Sequence, residues 1–519
     1  MSCVHRQNAT VSTMHSAAAP EQQYIAPPDP PPALAVEADK SSNNSRRSAQ
    51  QSGQEDHSKQ FCTSRLSFRV TGAASVARLE PLLLGEDWGH MRQRVEWSRA
   101  PGGDGGSAGG GDRIDFVWET TVLKQQLKEH RNATVLNRLS GAQVLEDKAN
   151  LALLQRLMTA PTLESYVANG RTEVTRWAQL HYQTHADALP SSYLKENLKE
   201  NLKENLKENL KNKLKEDLDE GLKEEGRGQE VPQRGDRVAT LKGGDGGGAG
   251  GGDWWCVKAA GGNGGMDIWV LHEGNWRAVT QKLRDGESYV IQRYVARPLL
   301  WRGRKFHFRA YAAVRADMSA WLYRTAYILC ASKPYSLGGG GGGATAEGGQ
   351  AGLTDELMHI SNLAVNKHTE GHPGQVPCNI PKEYPTLWPQ MLELVRSLVE
   401  ASGAFMQHQT SVGHFEFLGL DIIADDAGGV WLMEANRLPG LQSSKQNLSD
   451  ENKVYDGMML DLIRLLVLPP LTGCPPDQGL FEEAAAPSVD AKVPSEETWK
   501  NVMRFAAFKR TCARKSSSP

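Results

Sequence analysis

Cysteine is scarce in this chain, and its few copies follow no recognised ligand or disulfide spacing. The 519 residues contain seven cysteines, an odd number, with no Cys-x-x-Cys pair and no histidine at zinc spacing. We therefore expect neither a disulfide framework nor a structural zinc site, and a reducing compartment fits this composition.

Long apolar runs and an excess of one charge are also missing. The most apolar window, residues 457–468, contains Asp461 and Arg464 and so indicates a core helix, not a membrane span. A net charge of -2 excludes a strongly basic nucleic-acid binder. We expect neither a membrane nor a nucleic acid as a partner. The first twenty residues lack the apolar segment of a secretory signal, while their Ser- and Ala-rich, acid-free composition leaves an organelle transit peptide as the alternative.

The common signatures of phosphate-transferring enzymes are absent as well. The sequence contains no GK[ST] of a P-loop and neither the HRD nor the DFG of a protein kinase. Any nucleotide site must therefore be built from other residues.

Low-complexity segments divide the chain into a folded core and its interruptions. Composition predicts a disordered tail at 1–64 and a polar C-terminal tail at 471–519, with one possible short helix at 495–510. The predicted folded domain is 65–470. Its predicted inserts are three Gly-rich segments, 102–112, 243–252 and 336–352, and a LKEN repeat, 194–225.

The LKEN repeat places a leucine at every fourth position. Because a helix turns about 100° per residue, a period of four wraps the leucines around the helix and gives no single apolar face. We interpret the repeat as a solvated helical insert, with a coiled-coil partner site as the alternative. Elsewhere, short strands alternate with helices, which predicts an α/β (α+β) protein.

A lysine beside a Gly-rich turn is the first feature with chemical meaning. Segment 253–271 predicts two strands joined by AAGGNGGMD, and Lys258 lies at the end of the first strand. Backbone N–H groups and an ammonium at such a turn suit a phosphate. An ordinary exposed hairpin is the alternative interpretation.

A cationic strand face is the second feature. Alternation in RKFHFRAYAAV places Lys305, His307, Arg309 and Tyr311 on one face and apolar side chains on the other. The next predicted strand, WLYRTAYIL, adds Arg324. Cations on adjacent strands predict an anionic ligand, with a solvated basic face as the alternative.

A carboxylate hairpin is the third feature. In FEFLGLDIIADDAGGVWLMEAN, two apolar strands flank the turn DDAGG. Counting outward from the turn places Asp421 within one position of Glu434, and Asn436 shares a face with Glu434. Carboxylates among apolar residues are costly unless they bind cations, and oxygen ligands suit Mg²⁺ with phosphates. A surface-facing carboxylate pair is the alternative.

The order of these strings resembles one protein family. Lys258 with its loop, then VIQRYV, RKFHFR, LYR, HISN and FEFLGLDII…VWLMEAN, is similar to the tubulin tyrosine ligase-like family of ATP-grasp ligases. The upstream DFVW and LNRLSGAQVLEDKANLALL agree with that family too. The resemblance implies an ATP-grasp-type fold, with antiparallel strands around a nucleotide cleft and an N-terminal subdomain.

The resemblance also implies roles for individual residues. Expected to contact ATP are Lys148, Lys258, Gln292, Arg293, Tyr294, Val295, Lys305, His307, His359, Ser361 and Asn362. Gln292 is expected at the adenine edge beside the backbone of 293–295. Arg309, Arg324 and Glu434 are the expected catalytic residues, and Asp421, Glu434 and Asn436 the expected magnesium ligands.

Three positions depart from the family pattern. His307 stands where the family usually has Asp, Arg293 replaces the usual Lys, and the 261–267 loop lacks a basic residue and has Asp267 in place of Gly. We interpret these as marks of a divergent subfamily or of weakened activity.

The function implied by the resemblance is ATP- and Mg²⁺-dependent ligation of an amino acid, Tyr, Glu or Gly, to the acidic C-terminal tail of tubulin through an acyl phosphate. The expected place is the cytoplasm and its microtubule cytoskeleton, including the cilium or basal body. A tubulin-binding pseudo-ligase and an ATP-grasp ligase of a small peptide or metabolite are the alternatives.

Overall fold

The computed structural model describes residues 63–85, 94–100, 114–120, 133–183, 253–262, 264–337, 355–406, 413–437, 439–441 and 448–487. All of them belong to one compact unit, Phe61–Pro519. The predicted tail 1–64, the Gly-rich inserts, the LKEN repeat and the helix at 495–510 lie outside the described residues, apart from a few positions at their edges.

A parallel sheet begins the described chain. Its strands, in the order β2-β1-β3-β4, are β1 (Thr63–Val70), β2 (Arg94–Arg99), β3 (Phe116–Trp118) and β4 (Val135–Leu136). Helix α1 (Ala73–Gly85) follows β1 and buries Leu79 and Leu83 against the sheet. This sheet is the N-terminal subdomain that the resemblance implies.

A small antiparallel sheet follows, with the order β5-β8-β6-β7. Its strands are β5 (Ser165–Asn169), β6 (Trp255–Ala259), β7 (Ile268–Leu271) and β8 (Ser288–Arg293). The predicted strands around Lys258 are therefore confirmed, and the Gly-rich turn joins β6 to β7.

A larger sheet forms the centre of the protein. It contains β9 (Leu300–Trp301), β10 (Arg304–Arg315), β11 (Ala320–Tyr323), β12 (Thr325–Cys330), β13 (Gln375–Asn379), β14 (Phe415–Ala424), β15 (Val430–Asn436) and β16 (Phe481–Ala485). The order is β13-β12-β10-β11-β16, while β14 joins β10 to β15 and β9 pairs with β10. All pairings in this sheet are antiparallel, and the predicted α/β class with antiparallel strands around a cleft is confirmed.

Strand β10 alternates as the sequence predicts, but both of its faces are buried. Phe306 and Phe308 belong to the core that covers one face of the large sheet, and Tyr311 belongs to the core on the other face. Because β10 lies at the centre of a sheet covered on both sides, Lys305 and His307 are buried with it. The alternative interpretation, a solvated basic face, is therefore wrong for Lys305 and His307.

Helices cover the three sheets. They are α2 (Gln143–Glu146), α3 (Lys148–Leu154), α4 (Arg171–Gln183), α5 (Trp276–Lys282), α6 (Glu356–His359), α7 (Leu363–Asn366), α8 (Ile380–Glu383), α9 (Trp388–Met406), α10 (Leu448–Leu462) and α11 (Leu468–Thr472), with a π-helical turn, Ile463–Val467, between the last two. Within the described residues, none of these helices has the length and apolarity to span a membrane.

The C-terminal boundary of the fold differs from the predicted 470. Strand β16 pairs with β11, and Glu482 accepts a hydrogen bond from Trp388 Nε1 at 3.0 Å. Phe481 packs into the core as well. The prediction failed because FEEAA, read alone, is too acidic to indicate a strand in the main sheet.

Candidate functional site

An open cleft lies between the small sheet and the β14–β15 hairpin. Three lysines and two carboxylates line it, namely Lys148, Lys258, Lys305, Asp421 and Glu434. Four segments that are distant in sequence thus bring their charged residues to one place, as the motifs and the resemblance predict.

Lys258 projects from β6 toward the cleft beside Gln292 of β8. Its Nζ donates a hydrogen bond to Gln292 Oε1 at 2.7 Å. The amide nitrogen of Gln292 donates to Ser165 Oγ at 3.1 Å. The amide of Gln292, expected at the adenine edge, is therefore engaged by protein groups at both ends.

Lys305 is the most buried of the three lysines, with 7% of its surface exposed. Its ammonium lies 4.0 Å from the centre of the Tyr294 ring, a cation–π contact. Within the described residues, the Lys305 ammonium has no hydrogen bond and no ion pair. Burial lowers the pKa of Lys305 to about 7. The charge of Lys258 also lowers this pKa, whereas Cys256 raises it. A phosphate would therefore find here a cation that lacks a counter-ion.

Lys148 reaches the cleft because it is the first residue of α3. Asp147 caps that helix, its side chain accepting from the backbone N–H groups of Ala149 and Asn150. Lys148 Nζ lies 3.1 Å from Glu434 Oε1 and donates to the Gly262 carbonyl at 2.5 Å. One lysine thus connects α3, the Gly-rich turn and the carboxylate hairpin.

The β14–β15 hairpin places Asp421 directly opposite Glu434, which confirms the predicted register. A β-bulge follows, since Ile422 pairs with Leu432 and Met433 is the extra residue. The bulge lets Met433 and Glu434 both line the cleft.

Asp421 is held by Arg309 on the neighbouring strand. Arg309 Nε donates to Asp421 Oδ1 at 2.5 Å, and Arg309 Nη2 donates to Asp421 Oδ2 at 3.1 Å. Burial raises the pKa of Asp421, but Arg309, together with His307 and Lys258, outweighs burial and holds that pKa below its usual range. The carboxylate is therefore ionised and available to a cation.

His307 lies beneath the cleft surface between Asp421 and Ser361. Its Nε2 is 3.7 Å from Asp421 Oδ1, and its Nδ1 shares a hydrogen bond of 2.7 Å with Ser361 Oγ. Burial lowers the pKa of His307 to about 4, although the Asp421 carboxylate opposes this, so the ring is neutral at pH 7.

The HISN segment forms another wall of the cleft. His359, Ser361 and Asn362 all line it, and His359 Nδ1 shares a hydrogen bond of 2.9 Å with the Tyr294 hydroxyl. The Gly-rich turn packs on this segment, because a Cβ at Gly265 would lie 2.8 Å from the Asn362 side chain. Asp267, where the family usually has Gly, has a φ of 61°, a conformation that favours glycine.

Residues 293–295 line the cleft where β8 ends, as the resemblance implies. The backbone N–H of Arg293 donates to the Glu164 carbonyl at 2.8 Å and that of Tyr294 to the Trp254 carbonyl at 3.0 Å. Within the described residues, the N–H of Val295 has no partner, so this group is free for a ligand.

Arg324 does not belong to the cleft. Residue 324 interrupts the single strand predicted for WLYRTAYIL, dividing it into β11 and β12. Its exposed guanidinium pairs with Glu482 at 3.0 Å, in contrast to the predicted contact with a phosphate. Of the other expected residues, Arg309, His307 and Asn436 lie next to the cleft without lining it.

Two of the three expected magnesium ligands are placed to bind the ion. Asp421 and Glu434 are ionisable oxygen donors that face each other across the hairpin and reach the cleft, as Mg²⁺ requires. Arg309 and Lys148 neutralise them here. Asn436 shares the strand with Glu434, and its Nδ2 is buried without a partner within the described residues.

Several cleft residues are not among the site residues that the sequence predicts. The apolar walls are Leu163, Ile268, Val270, Ile423 and Met433. Alternation along β7 could have shown that Ile268 and Val270 share a face. No local signal identifies Ser165, because strand pairing alone brings it beside Gln292.

This geometry defines a class: an α/β protein whose cleft combines lysines, a carboxylate pair and apolar walls, as a ligand with phosphates and a flat apolar part requires. The chain belongs to the tubulin-tyrosine ligase family, whose model matches residues 177–473. The resemblance stated from the sequence is confirmed. Lys148 lies upstream of the matched range.

Curated relatives carry tubulin-modifying names. Bovine "probable tubulin polyglutamylase TTLL9" is 28% identical over 177 residues, 31% of this chain and 35% of the relative. Human "tubulin polyglutamylase TTLL6" is 23% identical, covering 39% of this chain and 24% of the relative. Human "tubulin monoglycylase TTLL3" is 25% identical, covering 36% and 24%. The chain thus spans about a quarter to a third of the length of these relatives.

One solved structure similar to this chain is the C-terminal domain of K. lactis Pby1, described as an ATP-grasp enzyme that interacts with the mRNA decapping enzyme Dcp2. The match has a TM-score of 0.47 and 16% identity and covers 81% of this chain and 99% of that chain.

Proposed function

We propose that the protein is an ATP-dependent ligase of the ATP-grasp type, which joins a free amino acid to a carboxylate of tubulin. The observation that carries the proposal is the convergence of Lys148, Lys258 and Lys305 on the Asp421–Glu434 pair in one cleft. Family membership supports the reaction class, and the names of the relatives favour Glu or Gly over Tyr as the added amino acid.

Charge explains why such a cleft suits phosphoryl transfer. The carboxylate to be activated takes the γ-phosphoryl group of ATP as ADP leaves, and an amine then displaces phosphate from the acyl carbon to form the amide. Negative charge accumulates on the phosphoryl oxygens, and fixed cations lower the barrier by stabilising it. Lys258 and Lys305, which line the cleft, would bind the phosphates, and Lys148 connects that region to Glu434.

The remaining residues would bind the base and the metal ion and orient the carboxylates. The free N–H of Val295 would meet the base, with Ile268 and Val270 against its faces. Asp421 and Glu434, with Asn436 as a third expected donor, would hold magnesium, which supplies charge neutralisation for the phosphates. Arg309 would keep Asp421 ionised and aligned.

The acceptor and the place of action complete the proposal. We assign the acidic C-terminal tail of tubulin as acceptor and the cytoplasmic microtubule cytoskeleton, cilium or basal body included, as location. Arg309 and Arg324 do not supply free cations for an acidic tail, since both are paired with carboxylates of this chain.

The decisive experiment is incubation of the protein with tubulin, ATP and Mg²⁺, and with labelled Tyr, Glu or Gly in separate reactions, followed by mass analysis of the tails. We expect incorporation of Glu or Gly that requires ATP. Tubulin lacking its tails is the matched control. Labelling of small peptides but not of tubulin would favour the small-substrate ligase instead.

A tubulin-binding pseudo-ligase is the second candidate. It is favoured by His307 at the position where the family usually has Asp, and by the lysine and arginine that already neutralise both carboxylates. This candidate predicts tubulin binding with no incorporation of any amino acid in the same assay.

A further inference from the structure

The Gln292 side chain belongs to a chain of hydrogen bonds that crosses three neighbouring strands. Lys258 Nζ donates to Gln292 Oε1 at 2.7 Å, and Gln292 Nε2 donates to Ser165 Oγ at 3.1 Å. Ser165 Oγ in turn donates to the Leu163 carbonyl at 3.0 Å. Only the Lys258 end carries a charge.

The direction of these hydrogen bonds follows from the groups themselves. An ammonium can only donate, so the end of the Gln292 amide that faces Lys258 must be its oxygen. The amide nitrogen then faces Ser165, whose hydroxyl accepts that bond and donates its own hydrogen to a backbone carbonyl. A flipped amide would place its NH₂ group against the ammonium and leave two donors facing each other.

Burial and strand pairing keep this arrangement in place. Gln292 is 3% exposed and Ser165 9% exposed, so neither polar group can turn to water instead. Ser165 lies directly opposite Gln292 in the β5–β8 pairing, and β6, which carries Lys258, pairs with the other edge of β8. The Ser165 hydroxyl therefore holds in place the amide whose oxygen accepts from the lysine.

We propose that Ser165 is a positioning residue for the nucleotide site: through Gln292 it holds the Lys258 ammonium in the orientation that receives the phosphates. This rests on the proposed ATP-binding function of the cleft. A lysine held before binding loses less side-chain freedom when the phosphates arrive, so the hydrogen-bond chain raises affinity for the phosphates and leaves affinity for the nucleoside unchanged.

The test compares ATP with adenosine, which lacks the phosphates. Ser165→Ala should weaken ATP binding by about three- to tenfold, the scale of one intramolecular hydrogen bond, and leave adenosine binding unchanged. Ser165→Thr, which keeps a hydroxyl on a strand residue, should restore ATP binding. A structural defect in β5 would weaken both ligands equally, and such a result would overturn the proposal.

Two further variants make the test specific. Combined with Lys258→Ala, the Ser165→Ala change should have no additional effect on ATP affinity, because the group that it positions is gone. Ser288→Ala is the matched control: Ser288 lies at the other end of the same strand pair, with its hydroxyl 3.5 Å from Asn169 Oδ1, and should leave ATP binding unchanged. If Ser165→Ala fails to fold, Ser165→Cys removes the strong hydrogen bond at nearly constant volume.

The outcomes separate this proposal from the proposed function. Wild-type protein that binds ATP in a Lys258-dependent manner, with unchanged affinity in Ser165→Ala or Ser165→Cys, overturns the positioning role and leaves the ligase proposal intact. Wild-type protein that binds no ATP overturns both. Selective loss of ATP affinity that the threonine restores establishes the role.

Discussion

Lys258 is the cation whose contribution can be measured most directly, because Gln292 Oε1 is its one hydrogen-bond partner within the described residues. Lys258→Ala should weaken ATP binding about 10- to 100-fold, since a charge-assisted contact contributes roughly 1.5–3 kcal/mol. The melting temperature should change little, because the lysine is not part of a core. Calorimetric titration measures the affinity and thermal unfolding measures the melting temperature. Arg324→Ala, which removes an exposed cation outside the cleft, is the control. Unchanged ATP affinity in Lys258→Ala would contradict the phosphate role.

Lys305 makes ATP binding dependent on pH. Its pKa of about 7 leaves the amine mostly neutral at pH 8, whereas nearby phosphates favour the charged form. ATP binding at pH 8 should therefore take up close to one proton. Titrations in buffers of different ionisation enthalpy measure this number. Lys305→Met should abolish the uptake, and equal uptake by wild type and variant would show that Lys305 stays charged in the free protein.

The same lowered pKa has a consequence for stability. Between pH 7 and about 10.5 the unfolded chain holds more protons on this lysine than the folded chain does, so the free energy of unfolding should rise with pH across that window. Below pH 7 both states are protonated and the full cost of burying the charge remains. Lys305→Met should therefore be more stable than wild type at pH 7, and its stability should rise less with pH. Denaturant unfolding at several pH values checks this expectation.

At the scale of elements, the β14–β15 hairpin concentrates the expected metal chemistry in a few residues. Glu434→Gln keeps the shape of the side chain and removes its charge. Turnover should fall by at least about a hundredfold, or roughly 2.7 kcal/mol of transition-state stabilisation. Stability should hold, because Lys148 keeps its bond to the Gly262 carbonyl. Asp426→Asn, at the exposed turn of the same hairpin, is the matched control, and near-normal ligation by Glu434→Gln would contradict the metal role.

This hairpin also shows what could be predicted from the sequence. A five-residue turn between two apolar strands fixes the register, so counting could place Asp421 within one position of Glu434. The β-bulge at Met433, which counting does not show, makes the two residues directly opposite. Arg309 could be placed on the strand that carries Lys305, but not paired with Asp421, because the pairing of β10 with β14 joins segments more than a hundred residues apart. Long-range contacts likewise bring Lys148 to Glu434 and Ser165 to Gln292. Local patterns specify elements, and long-range pairing decides which side chains meet.

The loop between β4 and α2 presses closely on the end of α9. Gly141 has a φ of +85°, and a Cβ there would lie 1.6 Å from the Phe405 carbonyl oxygen. Gly141→Ala should therefore lower the free energy of unfolding by more than about 3 kcal/mol. Gly286→Ala separates the two causes, since Gly286 has a similar φ of +87° but nothing within 4 Å of the added methyl group. The free energy of unfolding of that variant, measured with denaturant, should fall by only about 1 kcal/mol. Equal losses in both would show that the backbone angle alone matters.

At the scale of the whole molecule, the described residues on either side of the segment that contains the LKEN repeat contact each other. His181 and Arg293 both contact the Asp253 carboxylate, and the Tyr182 hydroxyl donates to the Asp253 carbonyl at 3.3 Å. The two flanks are thus held together by the described residues themselves. A short linker is therefore long enough to replace 194–225.

We expect the repeat to be dispensable for chemistry. Replacing 194–225 by a short Gly/Ser linker should leave the melting temperature and ATP consumption nearly unchanged, because a leucine period of four provides no consistent face for packing. Asp253→Ala, which removes the contact between the flanks, serves as a comparison that should destabilise the small sheet. A large fall in either quantity on replacement of the repeat would show that the repeat packs on the core or shapes the cleft.

Strand β16 has a consequence for the solubility of shortened chains. It is the last strand beyond β11, so a polypeptide ending at residue 470 would leave the backbone N–H and C=O groups of Ala320–Tyr323 without their partner strand. An uncovered strand of this kind is a template on which another molecule can add its own strand. Such a chain would retain every cleft residue and yet self-associate, and its loss of activity would reflect aggregation, not chemistry.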